Sequence, residues 1–227
     1  MRIKENIASE FNEFSANYTN DMIACVPHYL DLISSFTKDL PHQFDPKRIL
    51  DLGCGNGNAT AEVLQKYPEA QYYLLDASEK MLELCQHRFI GSDMSYLTSY
   101  FQDYEFESDF FDMIIAGFSL HHCDSEEKKS LFKKIYKALK SGGIFGMSDL
   151  MIDKNEPEHR QLLQDWKQFV LKNFPDEDKW EWLMEHYDEF DKPDHYSSQI
   201  QWLKEAGFST IHTVFQNDYW VHLRAIK

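Results

Sequence analysis

This chain is poor in the features that would tie it to a bilayer, a disulfide framework or a polyanion. No run of roughly 18 apolar residues occurs in its 227, so no membrane-spanning helix is expected. Its opening, Met1-Arg-Ile-Lys-Glu, has no apolar core of signal-peptide length. Four cysteines, Cys25, Cys54, Cys85 and Cys123, are scattered without a CxxC pair and suggest neither a zinc site nor a set of disulfides. Reduced thiols in a cytoplasmic protein are the expectation. Positive charge is also scarce: 23 Lys and Arg against 38 Asp and Glu leave a net charge of −15. That balance opposes a standing attraction for nucleic acid or anionic lipid and suits a small or cationic partner. Internal repeats and low-complexity segments are absent. What is there is 43% hydrophobic and 15% aromatic, enough for a folded α/β domain of this length with a helical subdomain.

The most constraining stretch is Pro46-Lys-Arg-Ile-Leu-Asp-Leu-Gly-Cys-Gly-Asn-Gly-Asn-Ala-Thr60. Ile49, Leu50 and Leu52 form a short apolar run around Asp51, and Gly53, Gly55 and Gly57 follow at alternate positions before a helical pattern opens at Ala59. Glycines there allow a sharp strand-to-helix turn and let a ligand lie against bare amides, with the positive end of the next helix favouring an anionic group. A dinucleotide fingerprint requires a further glycine where Asn58 stands, so the pattern is D-x-G-x-G-x-G instead. Glycine lowers the stability of an ordinary turn by enlarging the entropy of the unfolded chain, which argues for a ligand. Asp76 ends the next apolar run, Tyr72-Tyr-Leu-Leu-Asp, about 20 residues beyond the loop, where an acid can accept both ribose hydroxyls. An aspartate ahead of a helix can also serve as its N-cap.

Periodicity predicts a leading helix over 20–40 broken by Pro27, a linker over 41–46, helices over 59–67, 78–89 and 125–139, and strands over 71–75, 95–100, 111–117 and 144–148. Strands alternating with helices predict a parallel sheet covered on both faces. The alternation stops after Asp149. Residues 151–198 hold 13 Asp and Glu against 6 Lys and Arg and read as two amphipathic helices, either a solvated cover or a lid over the substrate. A helix over 197–206 and two strands, 210–215 and 219–225, turning at Gln216-Asn217-Asp218, close the chain.

The blocks Asp51 to Gly57, Asp76, Tyr100-Phe-Gln-Asp, Ile114-Ile-Ala-Gly-Phe-Ser-Leu-His-His and Leu139-Lys-Ser-Gly-Gly, in this order, resemble the class I S-adenosylmethionine (SAM)-dependent methyltransferases over nearly the whole chain. The resemblance implies a Rossmann-like doubly wound sheet of seven strands, order 3-2-1-4-5-7-6 with the last antiparallel, plus a helical cover. Residues 1–45 would be helices covering the cofactor site, 46–150 the SAM-binding core, 151–198 a helical insertion and 199–227 the final helix and strands. It implies SAM as cofactor, S-adenosylhomocysteine as product and a small-molecule acceptor, and a homodimer stays open. Asp51 would orient the methionine amino group, with Gly53, Cys54, Gly55 and Gly57 bordering the methionine part. Asp76 would hold the ribose, Ala77 and Met81 would pack on adenine, Ala116 and Phe118 would lie beneath the sulfonium, and Tyr18 would close over the cofactor carboxylate. Relatives commonly place an acid for the adenine amino group where Tyr100 stands, so that contact falls to the Tyr100 and Phe101 backbone; Asp103 matches a second acid.

Asn20-Asp-Met-Ile-Ala-Cys-Val-Pro-His-Tyr and Trp202-Leu-Lys-Glu-Ala-Gly-Phe resemble carboxy-SAM synthases, which serve transfer-RNA modification. Those enzymes need a cation for the added carboxylate, and Leu183 to His186 contains no arginine. Ordinary methyl transfer is therefore the leading reading, with a carboxy-SAM enzyme or a SAM-binding protein without catalysis as alternatives. His121 is the candidate general base, since an unperturbed imidazole titrates near neutrality. His122, Trp166, Trp180, Tyr187 and Trp220, together with Trp182 and Tyr219, are candidate acceptor walls. The histidine pair shows no third ligand at a recognisable spacing, so no metal is expected.

Overall fold

A computed structural model describes Ala8 and residues 17–227. Seven strands form one sheet: β1 (Arg48–Leu52), β2 (Gln71–Asp76), β3 (Met94–Thr98), β4 (Phe111–Gly117), β5 (Leu139–Leu150), β6 (Thr210–Asn217) and β7 (Trp220–Ile226). Their order is β3-β2-β1-β4-β5-β7-β6, parallel except that β7 runs antiparallel to both β5 and β6. The fold expected from the glycine-loop blocks is the one found. Ile49, Leu50 and Leu52 are fully buried, as a central parallel strand covered on both faces requires.

The helices are α1 (Tyr18–Cys25), α2 (Tyr29–Ser34), α3 (Asn58–Lys66), α4 (Glu79–Arg88), α5 (Ser125–Ala138), α6 (His159–Leu171), α7 (Asp178–Phe190) and α8 (Tyr196–Ala206). Pro27 splits the leading helix into α1 and α2, and His28 takes a left-handed φ of 59° between them. Ser78 caps α4 by accepting from the Met81 amide at 3.2 Å, as the sequence predicts. Several boundaries differ from expectation, the leading helix ending at Ser34 and β3 at Thr98. β5 begins at Leu139, paired with Phe111, and the Ser141-Gly142-Gly143 stretch is a bulge inside it, with Gly142 at φ 75°. The β6–β7 turn is carried by Asp218, at φ 50°, with Tyr219, one residue later than predicted.

Two apolar layers flank the sheet. On one face, Phe36, Val63 and Tyr72 pack with Trp166, Tyr187 and Trp220, so the 151–198 segment belongs to a hydrophobic core and is more than a solvated cover. On the other, Leu131, Phe132 and Ile135 of α5 pack with Leu203 and Phe208. Lys128 of α5 is 1% exposed, and its ammonium donates to Asp194 Oδ2 at 2.6 Å and to the Lys192 carbonyl. A buried cation so held pins the 192–194 strap against the carboxyl ends of the strands, since removing its partners would strand the charge. No helix among the described residues is long and apolar enough to cross a membrane.

Candidate functional site

The carboxyl ends of β1, β2 and β4 open into a cavity of about 240 Å³. Gly53, Gly55, Asp76, Ala77, Met81, Tyr100, Phe101, Phe118 and Tyr18 all line it, so most of the residues singled out for a nucleoside cofactor meet in one place. Gln102 and Ser119, within the quoted blocks but given no role there, line it too, as do Ser99, Cys123, Glu127 and Lys192 outside them.

The glycine loop works differently from the expectation. The amides of Gly53 and Cys54 donate to the Leu75 carbonyl at 2.7 and 3.1 Å, Gly55 donates to Asp76 Oδ2 at 2.8 Å, and Gly57 donates to the Cys54 carbonyl at 2.8 Å. These amides are not bare. What the glycines provide is space: a Cβ on Gly53 would stand 2.4 Å from Ser119 Cβ, and Ser119 cannot step aside because its hydroxyl donates to the Leu52 carbonyl at 2.6 Å. Gly57 lies away from the cavity, at φ 84° ahead of α3, where a Cβ would meet the Phe89 ring at 2.4 Å. Its role is helix entry.

Asp76 is no N-cap; it stands two residues before the Ser78 cap and accepts from the Ser78 amide at 2.8 Å as well as from Gly55. A carboxylate has about four acceptor sites and these bonds leave capacity on it, which is what a ribose diol needs. Burial raises the Asp76 pKa above the usual carboxylate value, and its hydrogen bonds from Ser78, Gly55 and Ala77 oppose that rise. Asp51 is 1% exposed and does not line the cavity. Its Oδ2 accepts from Thr60 Oγ1 at 2.6 Å, its Oδ1 is buried without a hydrogen-bond partner, and burial pushes its pKa up to about 7. Cys54 and Ala116 are likewise buried behind the lining: the Cys54 sulfur packs 4.0 Å from that of Cys85, and Ala116 sits among the apolar residues facing α5.

A second, apolar chamber of about 90 Å³ adjoins the first, and Tyr18 and Phe118 belong to the walls of both. Phe118 follows β4 with a left-handed φ of 56°, unfavourable for a bulky residue. The Tyr18 ring lies over Gly55, where a Cβ would come within 3.6 Å of it. Trp166, Tyr187 and Trp220 line the second chamber, with the Trp166 indole donating to the Cys25 carbonyl at 2.6 Å. Trp180 does not: it packs edge-on to Trp166, 5.8 Å between ring centroids, and Trp182 is the lining residue instead. Tyr219 lines a separate surface groove. Asp21, which pairs with Lys179 at 2.8 Å, Asp149 and Asp191 bring carboxylates to an otherwise largely aromatic and aliphatic wall.

Between the chambers lies a histidine–carboxylate cluster. His121 lines the apolar chamber and His122 the cofactor cavity. His121 Nδ1 stands 2.5 Å from Asp149 Oδ1, and the His121 amide donates to Asp149 Oδ2 at 3.1 Å. Three imidazole nitrogens surround Asp191 Oδ1: His122 Nδ1 at 3.3 Å, His121 Nε2 at 3.6 Å and His186 Nε2 at 3.7 Å. Burial alone would lower the His121 pKa, but the Asp149 and Asp191 carboxylates lift it to about 9. Burial takes His186 down to about 4 and, with the His121 charge, lowers His122. Burial would raise Asp191; the three imidazoles hold it near 2. The general-base expectation for His121 thus falls on an imidazole whose pKa the two neighbouring carboxylates raise, which favours its protonated form. Asp191, remote in sequence and so without a recognisable spacing, brings a carboxylate to the histidine pair. The acid run around Asp191 carried no spacing signal for this; Asp149, at the end of an apolar strand, could have been noticed.

Residues 49–143 match the family model of a methyltransferase domain. Over 221 residues the chain is 27% identical to a carboxy-S-adenosyl-L-methionine synthase of Nautilia profundicola, covering 91% of this chain and 89% of that one. Among solved structures it superposes on a SAM-dependent methyltransferase of Thermotoga maritima, a possible histamine N-methyltransferase, with TM-score 0.65 and 16% identity, covering 96% and 98% of the two chains. Human N-acetylserotonin methyltransferase in complex with SAM gives TM-score 0.65 at 17% identity, over 97% of this chain and 56% of that one. At such identities the structural likeness is one of fold. Sheet order, glycine loop and domain match together give this chain the Rossmann-like fold of the class I SAM-dependent methyltransferases.

Proposed function

We propose that this chain is a SAM-dependent methyltransferase acting on a small aromatic or cationic acceptor. The observation that carries the reading is the pair of chambers with Tyr18 and Phe118 in common. The cavity over Gly53 and Gly55 fits a nucleoside, with Asp76 as the ribose acceptor and Ala77 and Met81 as an apolar shelf for a purine. SAM, when bound, supplies a methyl group already activated on a sulfonium, so the protein's task is alignment and exclusion of water. The apolar chamber does both for a small partner: Trp166, Trp182 and Trp220 supply flat walls, and Asp21, Asp149 and Asp191 favour positive charge. Its small volume and the net charge of −15 support a small acceptor over a nucleic acid. His121, clamped between carboxylates, orients this wall and does not abstract a proton.

The length of the match to carboxy-SAM synthases favours a second reading, an enzyme that makes the carboxylated cofactor. Against it, among the described residues lining the two chambers the one Lys or Arg is Lys192, an exposed side chain at the rim. Mass spectrometry of small molecules released from the purified protein, followed by turnover against amine, phenol and thiol acceptors, separates the two. SAM or its demethylated product with a methylated acceptor is the expected result. A released ligand heavier than SAM by one carboxylate would replace the first reading with the second.

A further inference from the structure

The histidine–carboxylate cluster has a geometry that hydrogen bonding does not explain. The three imidazole nitrogens stand 3.3, 3.6 and 3.7 Å from Asp191 Oδ1, beyond the usual hydrogen-bond distance, and this oxygen is buried without accepting a hydrogen bond. A buried carboxylate oxygen that faces three imidazole nitrogens at ion-pair distance, with no close hydrogen bond, marks a centre that a bound cation would fill. Two ligands each about 2.0–2.2 Å from one tetrahedral ion stand about 3.3–3.5 Å apart, close to the separations found here. One donor atom from each of His121, His122 and Asp191 lies within 4.8 Å of the other two, and among the described residues no other group of three His, Cys, Asp or Glu has that spacing.

We infer that His121 Nε2, His122 Nδ1 and Asp191 Oδ1 form a site for a divalent transition-metal ion of the zinc class, in the partition between the two chambers. The groups behind the ligands are already in place. His121 presents Nε2 because its Nδ1 is engaged by Asp149 Oδ1 at 2.5 Å, and Asp149 is itself fixed by the amides of His121 and Leu150. A carboxylate behind a ligating imidazole sets its tautomer and raises its basicity. Two carboxylates, Asp149 and Asp191, balance the charge of a divalent ion. His186 Nε2 is the nearest fourth donor, and ions of this class accept imidazole and carboxylate together.

With His186 not ligating, three protein ligands leave a position for an exchangeable one, and two of the three, His121 and Asp191, line the apolar chamber. A thiol, hydroxyl or amine of the acceptor bound there would be held beside the nucleoside cavity. That role rests on the methyltransferase reading; binding of the ion does not.

The test is titration of chelator-treated protein with Co²⁺, read by its visible absorption, and with Zn²⁺ by competition, with S-adenosylhomocysteine affinity and melting temperature measured in parallel. One equivalent of Co²⁺ should bind with the intense spectrum of a four- or five-coordinate site. Asp149→Asn, which removes no ligand, should weaken binding by about 10–100-fold, and His122→Gln and Asp191→Asn by at least that much. Wild-type protein that shows only the spectrum of hydrated Co²⁺, or affinity that survives all three substitutions, overturns the site. Because the wild-type spectrum alone can refute it, a variant that fails to fold does not shelter the inference. Intact S-adenosylhomocysteine binding with no metal uptake would remove the ion and leave the functional reading standing.

Discussion

The three loop glycines should differ sharply in what an added methyl group costs. All three have left-handed backbone, with φ of 70°, 53° and 84° at Gly53, Gly55 and Gly57. Alanine pays roughly 1–2 kcal/mol for that conformation alone. At Gly55 nothing further is added, since the nearest atom to a Cβ is Tyr18 Cε1 at 3.6 Å, an ordinary contact. At Gly53 the Cβ would meet Ser119 Cβ at 2.4 Å and Oγ at 2.9 Å, and Ser119 is tied to the Leu52 carbonyl. Overpacking of that kind adds roughly 1–3 kcal/mol, so Gly53→Ala should lose about 2–5 kcal/mol in total. Gly57→Ala should fall between, because the obstacle is the outer edge of the Phe89 ring, which can turn at a cost to its own burial. Urea unfolding followed by circular dichroism measures each loss as a shift in midpoint at constant slope. If Gly53→Ala were no less stable than Gly55→Ala, the claim that these glycines provide space, and not amides for a ligand, would be wrong.

Asp76→Ala should weaken S-adenosylhomocysteine binding by roughly 1–3 kcal/mol in calorimetry and also lower stability, because the Gly55 and Ser78 amides lose their acceptor. Unchanged affinity would take the ribose role from Asp76. Acid should destabilise the protein through His222. Ser148 donates its hydroxyl to the Leu32 carbonyl, so His222 Nδ1–H donates to Ser148 Oγ at 2.7 Å and Nε2 is bare; burial and then Arg224 hold its pKa down to about 3. Between about pH 6.5 and 5 the unfolded chain takes up a proton that the folded one refuses, costing roughly 2 kcal/mol. Denaturation at both pH values should show that loss in the wild type and a shallower one in His222→Gln; equal slopes would refute it. Finally, if α6 and α7 close over bound ligands, hydrogen exchange across residues 159–190 should slow when S-adenosylhomocysteine and an acceptor analogue are added together. Exchange unchanged there would make the two helices a fixed wall.

Much of this protein could be read along its chain because the signals were local. The apolar run through Ile49 and Leu52, the glycines after it and the acid at Asp76 are short-range signals of a strand–turn–helix nucleoside site, and the resemblance they carry to class I methyltransferases implies the sheet order and the SAM cofactor. The Ser78 cap and the Pro27 break were legible for the same reason. What only the tertiary structure decided depends on distance in space between residues remote in sequence. The loop amides turned out to be spent on Leu75 and Asp76, because β2 lies beside β1. His121 is clamped between two carboxylates because β5 brings Asp149 to it and the strap after α7 brings Asp191. Nothing in a run of thirteen acids marks the one whose oxygen will face three imidazoles. That selection is made by the packing of α7 and by Lys128, a buried cation whose grip on the 192–194 strap fixes where Asp191 ends up.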